Sequence, residues 1–108
     1  MPTYLYRMSY SAGAVRAMIA SPSDRRKAAE ALTTSVGGSL REFFFCFGSD
    51  DVVMIADMPD DSAMAAAAAT VIASGTAARA ETTRLLSAEE FMAALRLAAG
   101  ASYRAPMS

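Results

Sequence analysis

The chain has 108 residues, a net charge of −1, no histidine and a single cysteine. That length sets an expectation of one domain. The missing basic balance argues against nucleic acid or an anionic membrane surface as partner. The missing histidine removes the commonest general base and transition-metal ligand, so neither a metal nor a cofactor is expected.

Thr3 to Ser9 reads as a strand, with Tyr4, Tyr6, Met8 and Tyr10 at period two on one face and Leu5, Arg7 and Ser9 on the other. Ser11 to Val36 reads as helix in two pieces. Val15, Met18 and Ile19 mark the first, Ser21-Pro22-Ser23-Asp24 interrupts, and Ala28, Ala29, Leu32 and Val36 continue an apolar stripe. Gly37-Gly38 supplies a helix stop. Leu40 to Phe47 and Val52 to Ala56 read as strands around the turn Gly48-Ser49-Asp50, an antiparallel hairpin.

Asp60 is the expected N-cap of the next helix, whose inner face is Met64, Ala68, Val71 and Ile72 and whose end is Gly75. Thr76 to Leu86 is more polar, as suits an edge strand. Ser87 and Glu90 have capping-box spacing, with Leu86 and Phe91 placed as a hydrophobic staple. Phe91, Ala94, Leu95 and Ala98 then give a last helix an inward face, and Gly100 closes it. The expected organisation is one domain over residues 1–100 and a flexible tail over 101–108.

This order is β-α-β-β-α-β plus a C-terminal helix, the ferredoxin-like α+β arrangement with a four-stranded antiparallel sheet. The hairpin strands do not alternate between apolar and polar. Phe43, Phe45 and Phe47 share one face while Phe44 and Cys46 take the other, and Val52, Met54 and Ala56 back onto Val53 and Ile55. Two crossover helices cover only one face of such a sheet. The last helix can shield an edge or part of the other face, and a second copy of the chain is the economical cover for what remains. A homo-oligomer is therefore expected, a homodimer or a multiple of dimers. The longest apolar run, Ala63 to Ala69, is far short of the ~20 residues a membrane-spanning helix needs. The first ten residues show no signal-peptide pattern, and a lone thiol suits a reducing compartment, so the expected location is cytoplasmic.

Several segments together resemble the GYD-domain family. They are Pro2-Thr3-Tyr4, Ser21-Pro22 with Arg25, Gly37-Gly38 before an aromatic strand, Gly48-Ser49-Asp50-Asp51-Val52-Val53, Pro59-Asp60-Asp61, Gly75, Arg79 to Arg84, and Glu89-Glu90-Phe91. The resemblance spans nearly the whole chain. It implies a ferredoxin-like domain that pairs into a dimeric α+β barrel, and it implies little about activity. Where the family's naming motif has glycine, then tyrosine and aspartate, this chain keeps Gly48 and Asp51 and carries Asp50 at the tyrosine position. The segment after Gly75 is also one residue longer than the family's pattern.

The best ligand-site candidates are the tyrosines. Tyr4, Tyr6 and Tyr10 offer hydroxyls at the ends of apolar rings, which suits a cleft as well as it suits a core. Tyr4, Tyr6, Arg7 and Asp51 are the residues to test. Asp50 and Asp51 have the composition of an acid–base pair, but turn chemistry explains them equally and neighbours on a strand point apart. Cys46 lies among phenylalanines, away from any activating histidine, and reads as an inert thiol. Arg25, Arg26 and Lys27 offer charge for an anion or simply a solvated helix face. Arg79 and Arg84 fall on opposite faces of their strand. Two function classes follow: an oligomeric module that binds an apolar or aromatic small molecule, or a cofactor-independent, monooxygenase-like enzyme of the dimeric α+β barrel type. RNA recognition by sheet aromatics needs a basic strand motif that is missing here, and the net charge has the wrong sign.

Overall fold

The structure, a computed structural model, describes residues 1–107. The elements are β1 (Thr3–Tyr10), α1 (Ala12–Ala20), α2 (Arg25–Ser35), β2 (Ser39–Phe45), β3 (Val52–Asp57), α3 (Asp61–Ala73), β4 (Ala77–Leu85) and α4 (Ala88–Ala99). The four strands form one antiparallel sheet in the order β2-β3-β1-β4, the ferredoxin-like topology expected from the sequence. Both ends of the sheet are edge strands, the polar β4 and the aromatic β2.

Each helix begins where a side chain satisfies an orphan amide. Ser11 accepts from the Ala14 N–H at 3.1 Å, Asp24 from Lys27 at 3.2 Å and Asp60 from Ala63 at 2.8 Å. Before α4 the capping box is complete: Ser87 accepts from Glu90 at 3.0 Å, and Glu90 accepts from the Ser87 N–H at 2.9 Å. The break at Ser21 to Asp24 separates α1 from α2, and the second helix restarts on Asp24 rather than on the proline. Gly37, with φ +86°, turns the chain out of α2. At Gly38 a Cβ would sit 2.5 Å from the Asp57 carbonyl oxygen, so only glycine lets this loop lie against the end of β3.

Register fixes which side chains face the helices. Tyr4 pairs with Ala56, Tyr6 with Met54 and Met8 with Val52 across β1 and β3. A bulge between Leu40 and Glu42 brings Leu40, Phe43 and Phe45 opposite Ala56, Met54 and Val52. The core lies on this face: Tyr4, Tyr6, Met8, Val52, Ala56 and Met58 from the sheet side, with Met64 and Ala67 of α3 above them. The opposite face, with Leu5, Arg7, Val53, Ile55 and Phe44, has no covering layer within the chain. Phe44 there is 58% exposed.

Four expectations are corrected. Ile72 is not on the inner face of α3 but 57% exposed; the helix buries Met64, as expected, together with Ala67. Strand β2 stops at Phe45, so Cys46 and Phe47 belong to the turn. There the Cys46 thiol donates to the Asp50 carbonyl at 3.2 Å and Phe47 is fully exposed. In α1, Val15 and Ile19 are exposed and no residue is buried. Finally, α4 covers neither an edge nor the second sheet face. Phe91, Ala94, Leu95 and Ala98 are all exposed rather than inward. The apolar pattern of α4 is real, but no surface of the chain buries it. The radius of gyration, 17.4 Å, exceeds the ~13 Å of a compact chain this long.

Candidate functional site

A cavity of about 330 Å³ lies between the helix face of the sheet and helices α2 and α3. Its walls are largely apolar. Met8, Met54, Met58 and Met64 line it together with Leu32, Phe43, Ala67 and Val71. Methionine side chains are flexible and polarisable, so such walls adapt to differently shaped apolar guests.

Apart from Thr33 and Thr70, whose hydroxyls donate to carbonyls of their own helices, two places in the wall are polar. The first is Tyr6, which is 3% exposed and whose hydroxyl has no hydrogen-bond partner in the protein. Leaving a buried hydroxyl unpaired costs about 1–3 kcal/mol, and buried polar groups are normally satisfied. Burial also raises the Tyr6 pKa above the usual tyrosine value. The second is the end of the cavity where β1 finishes and α2 begins, bounded by Tyr10, Arg25, Ser74 and Thr76. Burial raises the Tyr10 pKa, while the Arg25 guanidinium against its hydroxyl pulls the other way. The Ser74 and Thr76 hydroxyls pair with each other at 2.7 Å.

The four residues singled out from the sequence do not converge. Tyr6 lines the cavity. Tyr4 borders a shallow groove between α3 and β4, along with Asp61 and Arg84. Its hydroxyl donates to Asp61, and the Arg84 guanidinium lies 5.8 Å from its ring centroid. The bond to Asp61, with burial next, holds the Tyr4 phenol above its usual pKa. Arg7 is on the open face of the sheet, in an ion pair with Glu81 at 2.8 Å. Asp51 accepts from the Tyr10 backbone N–H at 2.8 Å, and its own N–H donates to the Met8 carbonyl at 2.9 Å. It ties β1 to β3.

Of the motif positions, Gly48 and Asp50 are in the hairpin turn. Asp50 pairs with Arg79 at 3.0 Å on the open-face side, so the two aspartates have separate partners and do not form an acid–base pair. Arg79 and Arg84 fall on opposite faces of β4, as alternation requires.

Arg25 is the site residue that the sequence reading undervalued. It stands three, four and seven positions before Ala28, Ala29 and Leu32, on the same helical stripe. That spacing marked a cation on an inward face. Among the described residues, no cluster of His, Cys, Asp and Glu is arranged to hold a metal ion, and no helix is long and apolar enough to cross a membrane.

The chain is thus an α+β domain of ferredoxin-like topology with an apolar cavity beneath its helices and few polar groups in the walls. The GYD-domain family model matches residues 4–95, and the chain belongs to that family. A comparison with curated proteins finds none that matches this chain.

Proposed function

We propose that the protein is a homo-oligomeric module that binds a small, largely apolar molecule in the cavity between sheet and helices. The observation that carries this reading is the unpartnered Tyr6 hydroxyl in the wall of that cavity. A guest that brings a hydrogen-bonding oxygen or nitrogen to it relieves the desolvation of a group the fold leaves unsatisfied. The wall supports binding more than proton-transfer catalysis. Among the described residues it presents no carboxylate, cysteine or lysine, and its phenols Tyr6 and Tyr10 have raised pKa values that keep them protonated near neutrality.

The oligomer part of the proposal rests on two unpartnered apolar surfaces of one chain. One is α4, with Phe91, Met92, Leu95 and Leu97 exposed; the other is the open sheet face with Leu5, Val53, Ile55 and Phe44. Each needs an apolar cover, and a second copy supplies both at once in a symmetric pair.

Calorimetric titration with indole, a neutral aromatic probe, tests the cavity. Wild-type protein is expected to bind it. Ala68→Leu, which projects a larger side chain from a half-buried lining position, is expected to remain folded and lose the binding. Equal binding by both proteins places the probe elsewhere and sinks this reading. Native mass spectrometry tests the assembly: a dimer or multiple of dimers supports it, and a monomer at working concentrations rejects it.

A further inference from the structure

The two polar places in the wall differ in character, and that difference narrows the ligand. Tyr6 and Tyr10 face the same side of β1 four residues apart, about 13 Å along the strand. Tyr6 offers one neutral hydroxyl. The other end offers a cation. Arg7, Arg26, Arg41, Arg79 and Arg84 are each in an ion pair with a carboxylate. Arg25, half-buried and lining the cavity, has as its neighbour a phenol, the hydroxyl of Tyr10. A guanidinium only donates, so the Tyr10 oxygen faces it as an acceptor and the phenolic proton remains free to donate elsewhere.

Arg25 is also the first residue of α2, a helix of eleven residues with no acidic side chain in its first turn. The Asp24 carboxylate caps that helix end, accepting from the Lys27 N–H at 3.2 Å, so the Arg25 guanidinium is the cation that faces the cavity here. The carboxylate whose field reaches Tyr10 is that of Asp51, and it already accepts from the Tyr10 backbone N–H.

We propose that the cavity takes a small amphipathic carboxylic acid. Its carboxylate lies on Arg25 and Tyr10, its apolar body among the methionines, and a second oxygen at its far end on the Tyr6 hydroxyl. This rests on the small-molecule reading above and adds the chemical class. At about 30 Å³ per water-sized unit, 330 Å³ admits a guest of about a dozen heavy atoms. That is a single substituted aromatic ring with a short acid side chain.

The test is calorimetric titration with three matched probes and indole. The probes are 3-(4-hydroxyphenyl)propanoate, its neutral isostere 3-(4-hydroxyphenyl)propanamide, and 3-phenylpropanoate, which lacks the distal hydroxyl. Wild-type protein is expected to prefer the hydroxylated acid over the amide by roughly tenfold or more, the range for a hydrogen bond to a charged group. That ratio should collapse toward one in Arg25→Gln. The advantage of the hydroxylated acid over 3-phenylpropanoate should collapse in Tyr6→Phe, with the acid-over-amide ratio kept. Circular dichroism of both variants confirms that they are folded.

If the amide binds as well as the acid, or the preference survives Arg25→Gln, the anionic assignment is overturned while the cavity reading stands. If no probe binds at millimolar concentration but indole does, the acid class is again overturned alone. If indole also fails to bind, both readings fall.

Discussion

Helices α3 and α4 start in the same way and end in different places. Each has a side-chain cap on its N3 amide, Asp60 on Ala63 and Ser87 on Glu90, and each has acidic residues in its first turn. Helix α3 is nearly uniform, a run of alanines with little distinction between its sides, yet it buries Met64 and Ala67 against the sheet. Helix α4 has the clearer division into apolar and polar faces, yet buries nothing. Local chemistry therefore decides that both are helices. It does not decide which surface receives them. Helix α3 packs nearest β4 and turns Met64 and Ala67 to the core. The bulky stripe of α4 marks an apolar face without naming a surface that receives it.

The largest effect that separates the two helices is at Met64. Met64→Ala should lower stability by about 2–3 kcal/mol, the lower part of the range for a buried methionine, because the site already borders a cavity. Urea denaturation should show a lower midpoint with an unchanged slope. A loss under about 0.5 kcal/mol would mean that α3 is no better anchored than α4.

Leu95→Ser probes the other helix. Within one protomer an exposed substitution of this kind changes stability by about 0.5 kcal/mol or less. If a second copy covers α4, the wild-type melting temperature rises with protein concentration and Leu95→Ser abolishes that dependence. Light scattering coupled to size exclusion should then show the variant at half the mass. A wild-type melting temperature independent of concentration breaks the comparison, because α4 would then be a free arm.

The same contrast explains how much was legible in the sequence. Strand β1 was readable because period two put four large side chains on one face, and the structure buries Tyr4, Tyr6 and Met8 there. The caps at Asp60 and Ser87 were readable because capping depends on residues three positions apart. The inner face of α3 was only partly readable. With alanine on almost every side, Ile72 looked as suitable as Ala67, and only the position of the sheet separates them. The exposure of α4 was not readable at all, since amphipathicity carries no address. In the site, Tyr6 was found and Arg25 underweighted for one reason. A cation on an apolar stripe is ordinarily a solvated flank, and its meaning appears only when the stripe lines a cavity. Arg7 fell away from Tyr4 and Tyr6 by strand alternation alone.

Removing the caps gives a smaller effect that sharpens the comparison. Asp60→Ala and Ser87→Ala should each cost about 1 kcal/mol of helix stability, but that cost should appear in different places. In α3, which is packed on the core, Asp60→Ala should lower the global unfolding midpoint. In α4, which has no buried residue within one chain, Ser87→Ala should speed amide exchange from Ala88 to Ala99 and, at concentrations where the chain is monomeric, leave the midpoint of the α/β body nearly unchanged. Equal global losses from both substitutions would show that α4 folds as one unit with the body.

The smallest effect is a pH dependence confined to the same turn. The Glu90 carboxyl is held below its ordinary pKa of 4.5, first by the Ser87 backbone N–H and then by Arg84, which pairs with it at 3.0 Å. With the folded value below the unfolded one, the unfolded turn binds the proton more readily. The contribution of Glu90 is therefore complete above pH 4.5 and lost as the pH falls through the lower folded value. Because the side chain is solvent-exposed, the expected signal is local fraying of α4 rather than loss of the fold. Backbone amide shifts of Ala88 to Phe91 should move on acidification through this window. Glu90→Gln should remove the movement, because the amide keeps an acceptor for the Ser87 N–H and has no proton to gain. Persistence of the shift in Glu90→Gln would assign it to another carboxylate and show that the capping box does not govern this end of α4.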